Sequence, residues 1–153
     1  MTAFLTREDQ ESIMATAAAA ADAARSVTLR YFRGTGLNTE SKLAAGFDPV
    51  TVADRESEQA MRAVIQARRP QDAILGEEFG LSEGSSGLSW VLDPIDGTRG
   101  FISGTPTWGV LIALRDDARA LYGVVDQPYI GERFVGGFGI AQVTGPHGFR
   151  MVR

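Results

Sequence analysis

Two long helical patterns fill the first 68 residues of this sequence, and from residue 73 onward only apolar runs of strand length follow. Helices and strands separated in this way predict an α+β fold. Two helices are expected to pack on a roughly six-stranded antiparallel sheet. The first helix is expected from Arg7 to Arg33. Thr6 caps it, Glu8 and Asp9 sit in the first turn, and Gly34 and Gly36 lie beyond its end. Ile13, Ala17, Ala20, Ala24, Val27 and Tyr31 recur at steps of three and four and form its buried face. A loop spans 34–49. A second helix runs from Ala53 to Arg68 with Ala60, Met61, Val64 and Ile65 inside, and its charges Arg55, Glu56, Glu58 and Arg62 are expected on the solvated side. Pro70 stops it.

The strand-like runs are 73–76, 88–92, 107–115 and 119–128, followed by ERFVGG, GIAQV and GFRMV. Asp116-Asp117-Ala118 reads as a hairpin turn. The length, 153 residues, suits one domain with a real core. No apolar run approaches the roughly 18–20 residues of a membrane span. The N-terminal MTAFLTREDQESI lacks the basic-then-apolar order of a secretory signal, so the expected location is the cytoplasm. A net charge of −4 argues against a nucleic-acid partner.

Cysteine is absent and histidine occurs once, at His147. Disulfides, zinc–thiolate sites, thiol nucleophiles and multi-histidine metal sites are thereby excluded. The remaining chemistry belongs to carboxylates, Gly and Thr, which suit hard cations with oxygen ligands.

The segment Trp90-Val91-Leu92-Asp93-Pro94-Ile95-Asp96-Gly97-Thr98 concentrates that chemistry. An apolar strand runs into two aspartates three apart, split by a proline expected to turn the chain. Asp93, Asp96 and the Ile95 carbonyl can converge on cations there. Gly97 allows an anion close to the backbone, and the Thr98 hydroxyl can bond a phosphate or a water. A helix starting near Thr98 would add free amides. Taken alone, D-P-x-D-G is also an ordinary turn. Two further acidic sites lie at element ends: Glu77-Glu78 after 73–76, and Asp54 at the start of the second helix. Carboxylates brought together repel unless a cation joins them, so a metal is the natural resolution.

G-E-E at 76–78, W-V-L-D-P-I-D-G-T at 90–98 and D-P-V-T-V-A-D at 48–54 resemble the inositol monophosphatase family of lithium-sensitive, metal-dependent phosphatases. Arg99-Gly100-Phe101-Ile102-Ser103-Gly104 and 123–136 resemble its histidinol-phosphatase branch. The resemblance implies Mg²⁺, two or three ions, inhibition by Li⁺, and a small phosphate ester as substrate. It implies that Glu77, Asp93 and the Ile95 carbonyl hold a first ion, and that Asp93 and Asp96 hold a second. Thr98 with Glu77 would orient water, and the Gly97 and Thr98 amides would bind phosphate. Asp54 would serve a third ion through water. From its own chemistry, Arg99 could contact a substrate phosphate or carboxylate, or equally serve as a salt-bridge or exposed arginine. Glu78 has no direct ligand role. Lys42 is a possible neutralising neighbour and is better read as a solvated loop lysine.

Members of that family are longer and carry a W-D motif in a second, α/β half; no Trp-Asp pair occurs in this sequence. Residues 1–153 are therefore expected to form the N-terminal metal-binding domain, with the C-terminal domain absent and the isolated chain weakly active or inactive as a phosphatase. The expected partner is a second copy or a complementary C-terminal half. The alternative function is a non-catalytic, metal-binding or self-associating module. No Walker or kinase-type lysine loop supports a phosphotransferase.

Overall fold

A computed structural model describes residues 4–34 and 49–152. Lys42 and Asp48 lie outside them. Helix α1 spans Arg7–Tyr31. It begins at the expected N-cap Thr6, which the structure completes as a capping box: the Thr6 hydroxyl accepts the Asp9 amide at 3.1 Å, and the Asp9 carboxylate accepts the Thr6 amide at 3.0 Å. The Thr6 hydroxyl, then its amide, hold the Asp9 carboxyl below its usual range. That stabilisation is present above the unfolded-state pKa and is lost as pH falls through the folded-state value. Thr6→Ala is expected to cost about 1 kcal/mol at neutral pH, read as a lower urea midpoint with unchanged slope.

Helix α2 spans Pro49–Arg68, four residues earlier than the apolar stripe suggested. Proline suits the first helical position because its missing N–H has no partner to lose there. Ile13, Ala17, Ala20 and Ala24 of α1 share one buried cluster with Ala53, Met61 and Ile65 of α2. The expected Ala60 and Val64 are only half-buried. Alanines let the helices approach closely, and together they cover one face of the sheet.

The sheet has eight strands rather than about six, in the order β2-β1-β3-β4-β5-β6-β7-β8. They are β1 Ala73–Gly76, β2 Gly80–Ser82, β3 Ser89–Asp96, β4 Gly109–Arg115, β5 Ala120–Gln127, β6 Glu132–Gly137, β7 Ile140–Gly145 and β8 Gly148–Met151. Strand β2 lies in the stretch that reads as a Gly/Ser loop, because three residues are too few to show a period of two. Every pairing is antiparallel except β1 with β3, which is parallel. The covered face carries Trp90, Leu92, Val110, Ile112, Leu114, Tyr122 and Val124. The opposite face leaves Leu75, Val125 and Phe134 exposed. Among the described residues no helix is long and apolar enough to cross a membrane.

Candidate metal centre

The parallel β1–β3 pair and one irregularity in β3 build the site. Gly76 pairs with Leu92, so the next residues along the two strands are Glu77 and Asp93. Neighbouring strands lie about 4.8 Å apart, which brings these carboxylates side by side. Residues three apart on a regular strand face opposite ways. Here Asp93 pairs with Leu111 but Asp96 with Gly109, a register shift that inserts one extra residue. The bulge restores parity and turns Asp96 to the face of Asp93. Pro94, expected to end the strand in a turn, instead sits inside the bulge, where a missing donor is tolerated.

The charges converge on Asp93. Burial first, then the negative charges of Glu77 and Asp96, push its carboxyl above the usual range, and the Ile95 amide partly offsets them. Among the described residues three buried side-chain atoms lack a hydrogen-bond partner: Ser57 Oγ, Trp108 Nε1 and Asp93 Oδ1. Only the last is a carboxylate oxygen, a group that is costly to bury unmatched. A hard cation fits that atom and the two neighbouring acids. The described residues do not form a finished cage, since no three acidic or histidine side chains among them already converge on one point.

Gly97 follows at φ +84°, and a Cβ there would lie 2.6 Å from the Thr107 carbonyl oxygen. Only glycine meets both demands. Gly97→Ala is expected to destabilise by at least about 1–2 kcal/mol, measured by thermal unfolding. The left-handed turn starts a short helix, α3, Thr98–Ser103, with no side chain capping its first turn. Phe101 pins α3 to Phe32 and Trp108, with ring centroids 5.4 and 4.9 Å apart. Thr98 and Arg99 are exposed on its first turn, and the Thr98 hydroxyl lies 3.4 Å from the Ile95 carbonyl. Asp54 is half-buried on α2.

Glu58 and Arg62 correct the sequence expectation. They were expected on the solvated side, yet Glu58 is 0% and Arg62 7% exposed. Glu58 accepts the Arg62 Nε at 2.8 Å and the Glu78 and Phe79 amides at 2.7 and 3.2 Å. The signal was present: Glu58 lies three, four and seven residues before Met61, Arg62 and Ile65, on the buried stripe. Amphipathic reading assigns charge to solvent and so passes over a buried pair. His147 lies exposed in the β7–β8 turn, as expected.

This chain is 42% identical over 114 residues to a histidinol-phosphatase of Chlorobaculum parvum, covering 74% of this chain and 43% of that protein. It is 42% identical over 118 residues to a histidinol-phosphatase of Mycobacterium tuberculosis, covering 77% and 45%. A solved inositol monophosphatase from Zymomonas mobilis superposes with a TM-score of 0.71 and 37% identity, over 92% of this chain and 52% of that one. The chain thus spans less than half the length of these curated relatives. The sequence profile of the inositol monophosphatase family matches residues 9–141. With the G-E-E loop, the bulged D-P-I-D strand and the glycine turn in the described fold, the chain belongs to the inositol monophosphatase family.

Proposed function

We propose that this chain is the metal-binding portion of a Mg²⁺-dependent phosphomonoesterase whose preferred substrate is histidinol phosphate, with an inositol phosphate second. The observation that carries the reading is Asp93 Oδ1, buried without a partner between the charges of Glu77 and Asp96. The names of the relatives and the 99–104 segment favour the histidinol-phosphate branch.

Glu77, Asp93 and the Ile95 carbonyl would hold one ion, Asp93 and Asp96 a second, and Asp54 a third through water. When bound, such ions polarise a phosphate ester and acidify a water beside it. The protein's own groups do the rest. The Thr98 hydroxyl and the Glu77 carboxylate orient the attacking water. The Gly97 and Thr98 amides, fixed by the left-handed turn, donate to phosphate oxygens. Arg99 offers a guanidinium to the anionic ester. The reaction transfers the phosphoryl group to water without a covalent enzyme intermediate, and Li⁺ inhibits it.

The test is Mg²⁺ titration with two readouts: melting temperature, and phosphate release from histidinol phosphate and inositol 1-phosphate. Mg²⁺-dependent stabilisation with release from histidinol phosphate supports the reading. A chain that Mg²⁺ neither stabilises nor stimulates sinks it. A second reading draws on the apolar outer sheet face of Leu75, Val125 and Phe134: a metal-binding module that associates with another copy or a complementary half. Stabilisation without phosphate release, together with a concentration-dependent dimer, identifies that case.

A further inference from the structure

The loop that presents Glu77 is held from behind. Glu77, Glu78 and Phe79 join β1 to β2 as a three-residue hairpin loop closed by the Gly76–Gly80 pair. Two of its three amides, those of Glu78 and Phe79, donate to the buried Glu58 carboxylate on α2. Arg62, one turn further along α2, bonds Glu58 and also reaches the Ser82 hydroxyl at 2.9 Å and the Gly80 carbonyl. A Cβ on Gly76 would lie 2.0 Å from Glu58 Oε1, so the carboxylate sits directly against the backbone that precedes Glu77. The loop is thus clamped on both sides of Glu77, while the Glu77 side chain stays exposed beside Asp93. A buried ion pair is a poor source of net stability compared with apolar packing. Its evident product here is the fixed path of three residues.

We infer that Glu58, backed by Arg62, is a positioning residue that sets Glu77 against Asp93 and thereby sets the affinity for the divalent ion. The inference rests on the metal reading of Glu77 and Asp93 above. Glu58 itself touches neither metal nor substrate. Its two oxygens accept three N–H groups, so an amide in its place turns an NH₂ toward at least one donor and opens the clamp.

The test measures amide hydrogen exchange at Glu78 and Phe79 and calorimetric Mn²⁺ affinity, at a temperature where each variant is fully folded. Glu58→Gln is expected to speed exchange at both amides at least about tenfold and to weaken Mn²⁺ by about 10–100-fold, the usual loss when a ligand's supporting partner goes. Thr6→Ala, at the far end of the helix pair, changes neither. Gly76→Ala displaces the same contact from the other side and produces the same two losses, which keeps the test intact if Glu58→Gln does not fold. A folded variant that binds Mn²⁺ as tightly as the wild type overturns the inference and leaves the metal reading standing. A wild-type chain that binds no Mn²⁺ overturns both.

Discussion

Asp93→Asn is expected to abolish the stabilisation of this chain by Mg²⁺ and to lower any Mg²⁺-stimulated phosphate release at least about 10²-fold, since loss of even a supporting group around a metal costs up to that. At Mg²⁺ a hundred times its dissociation constant, the stabilisation removed is about 2.7 kcal/mol. Without metal the same change should act the other way. In the fold, burial and then the charges of Glu77 and Asp96 raise the Asp93 pKa above its unfolded value. The folded state therefore holds that proton more tightly. In EDTA this contribution is full below the unfolded pKa and is lost as pH rises through the raised folded value. Asparagine carries no charge to desolvate, so the variant lacks this decline and melts higher than wild type at neutral pH in EDTA. Melting curves with and without Mg²⁺ across pH check both halves. A variant that keeps its full Mg²⁺ shift removes Asp93 from the proposed ligand set.

The largest loss of stability is expected at Asp126, which is 0% exposed on β5. Its carboxylate accepts Arg25 Nε of α1 at 3.1 Å and Arg133 Nε of β6 at 2.8 Å. Arg133 in turn reaches Asp22 at 2.7 Å, so one buried acid ties the first helix to two strands. Asp126→Ala takes the Asp126 carboxylate from both guanidinium groups and leaves Arg133 with the exposed Asp22 alone. Removing one partner of a buried charge pair costs about 3–5 kcal/mol, a large share of the roughly 5–15 kcal/mol that holds a domain together. Urea unfolding should show the midpoint falling sharply. If Arg25→Met is then added, part of the loss should return, because the stranded charge is what makes the single change so costly. A loss below about 1 kcal/mol for Asp126→Ala would show that the network is solvated in solution.

How much of this could be read from the sequence differs by element. The N-cap at Thr6 and the alanine face of α1 were legible because they depend on residue type and on residues three and four apart on one helix. The hairpin at 116–118 was legible for the same local reason. Strand β2 was not, since its three residues are too few for a period, and its pairing with β1 is set by the folded sheet rather than by local pattern. The candidate ligands Glu77, Asp93 and Asp96 were found as acids at element ends. Their shared face was not, because it follows from a parallel β1–β3 register and from a bulge that only the β4 partner reveals. Glu58 was misread outright: its spacing places it on the buried stripe, but the loop amides that pair its charge there come from a distant segment.

By itself, then, the sequence determined the α+β class, the two main helices and a set of carboxylates proposed as oxygen ligands, through local periodicity and residue type. Only the tertiary structure decided which carboxylate carries the burden of the others' charge, and which buried acid holds the loop in place. Those properties arise from distances between segments far apart in the chain, where desolvation and Coulomb interactions act through space.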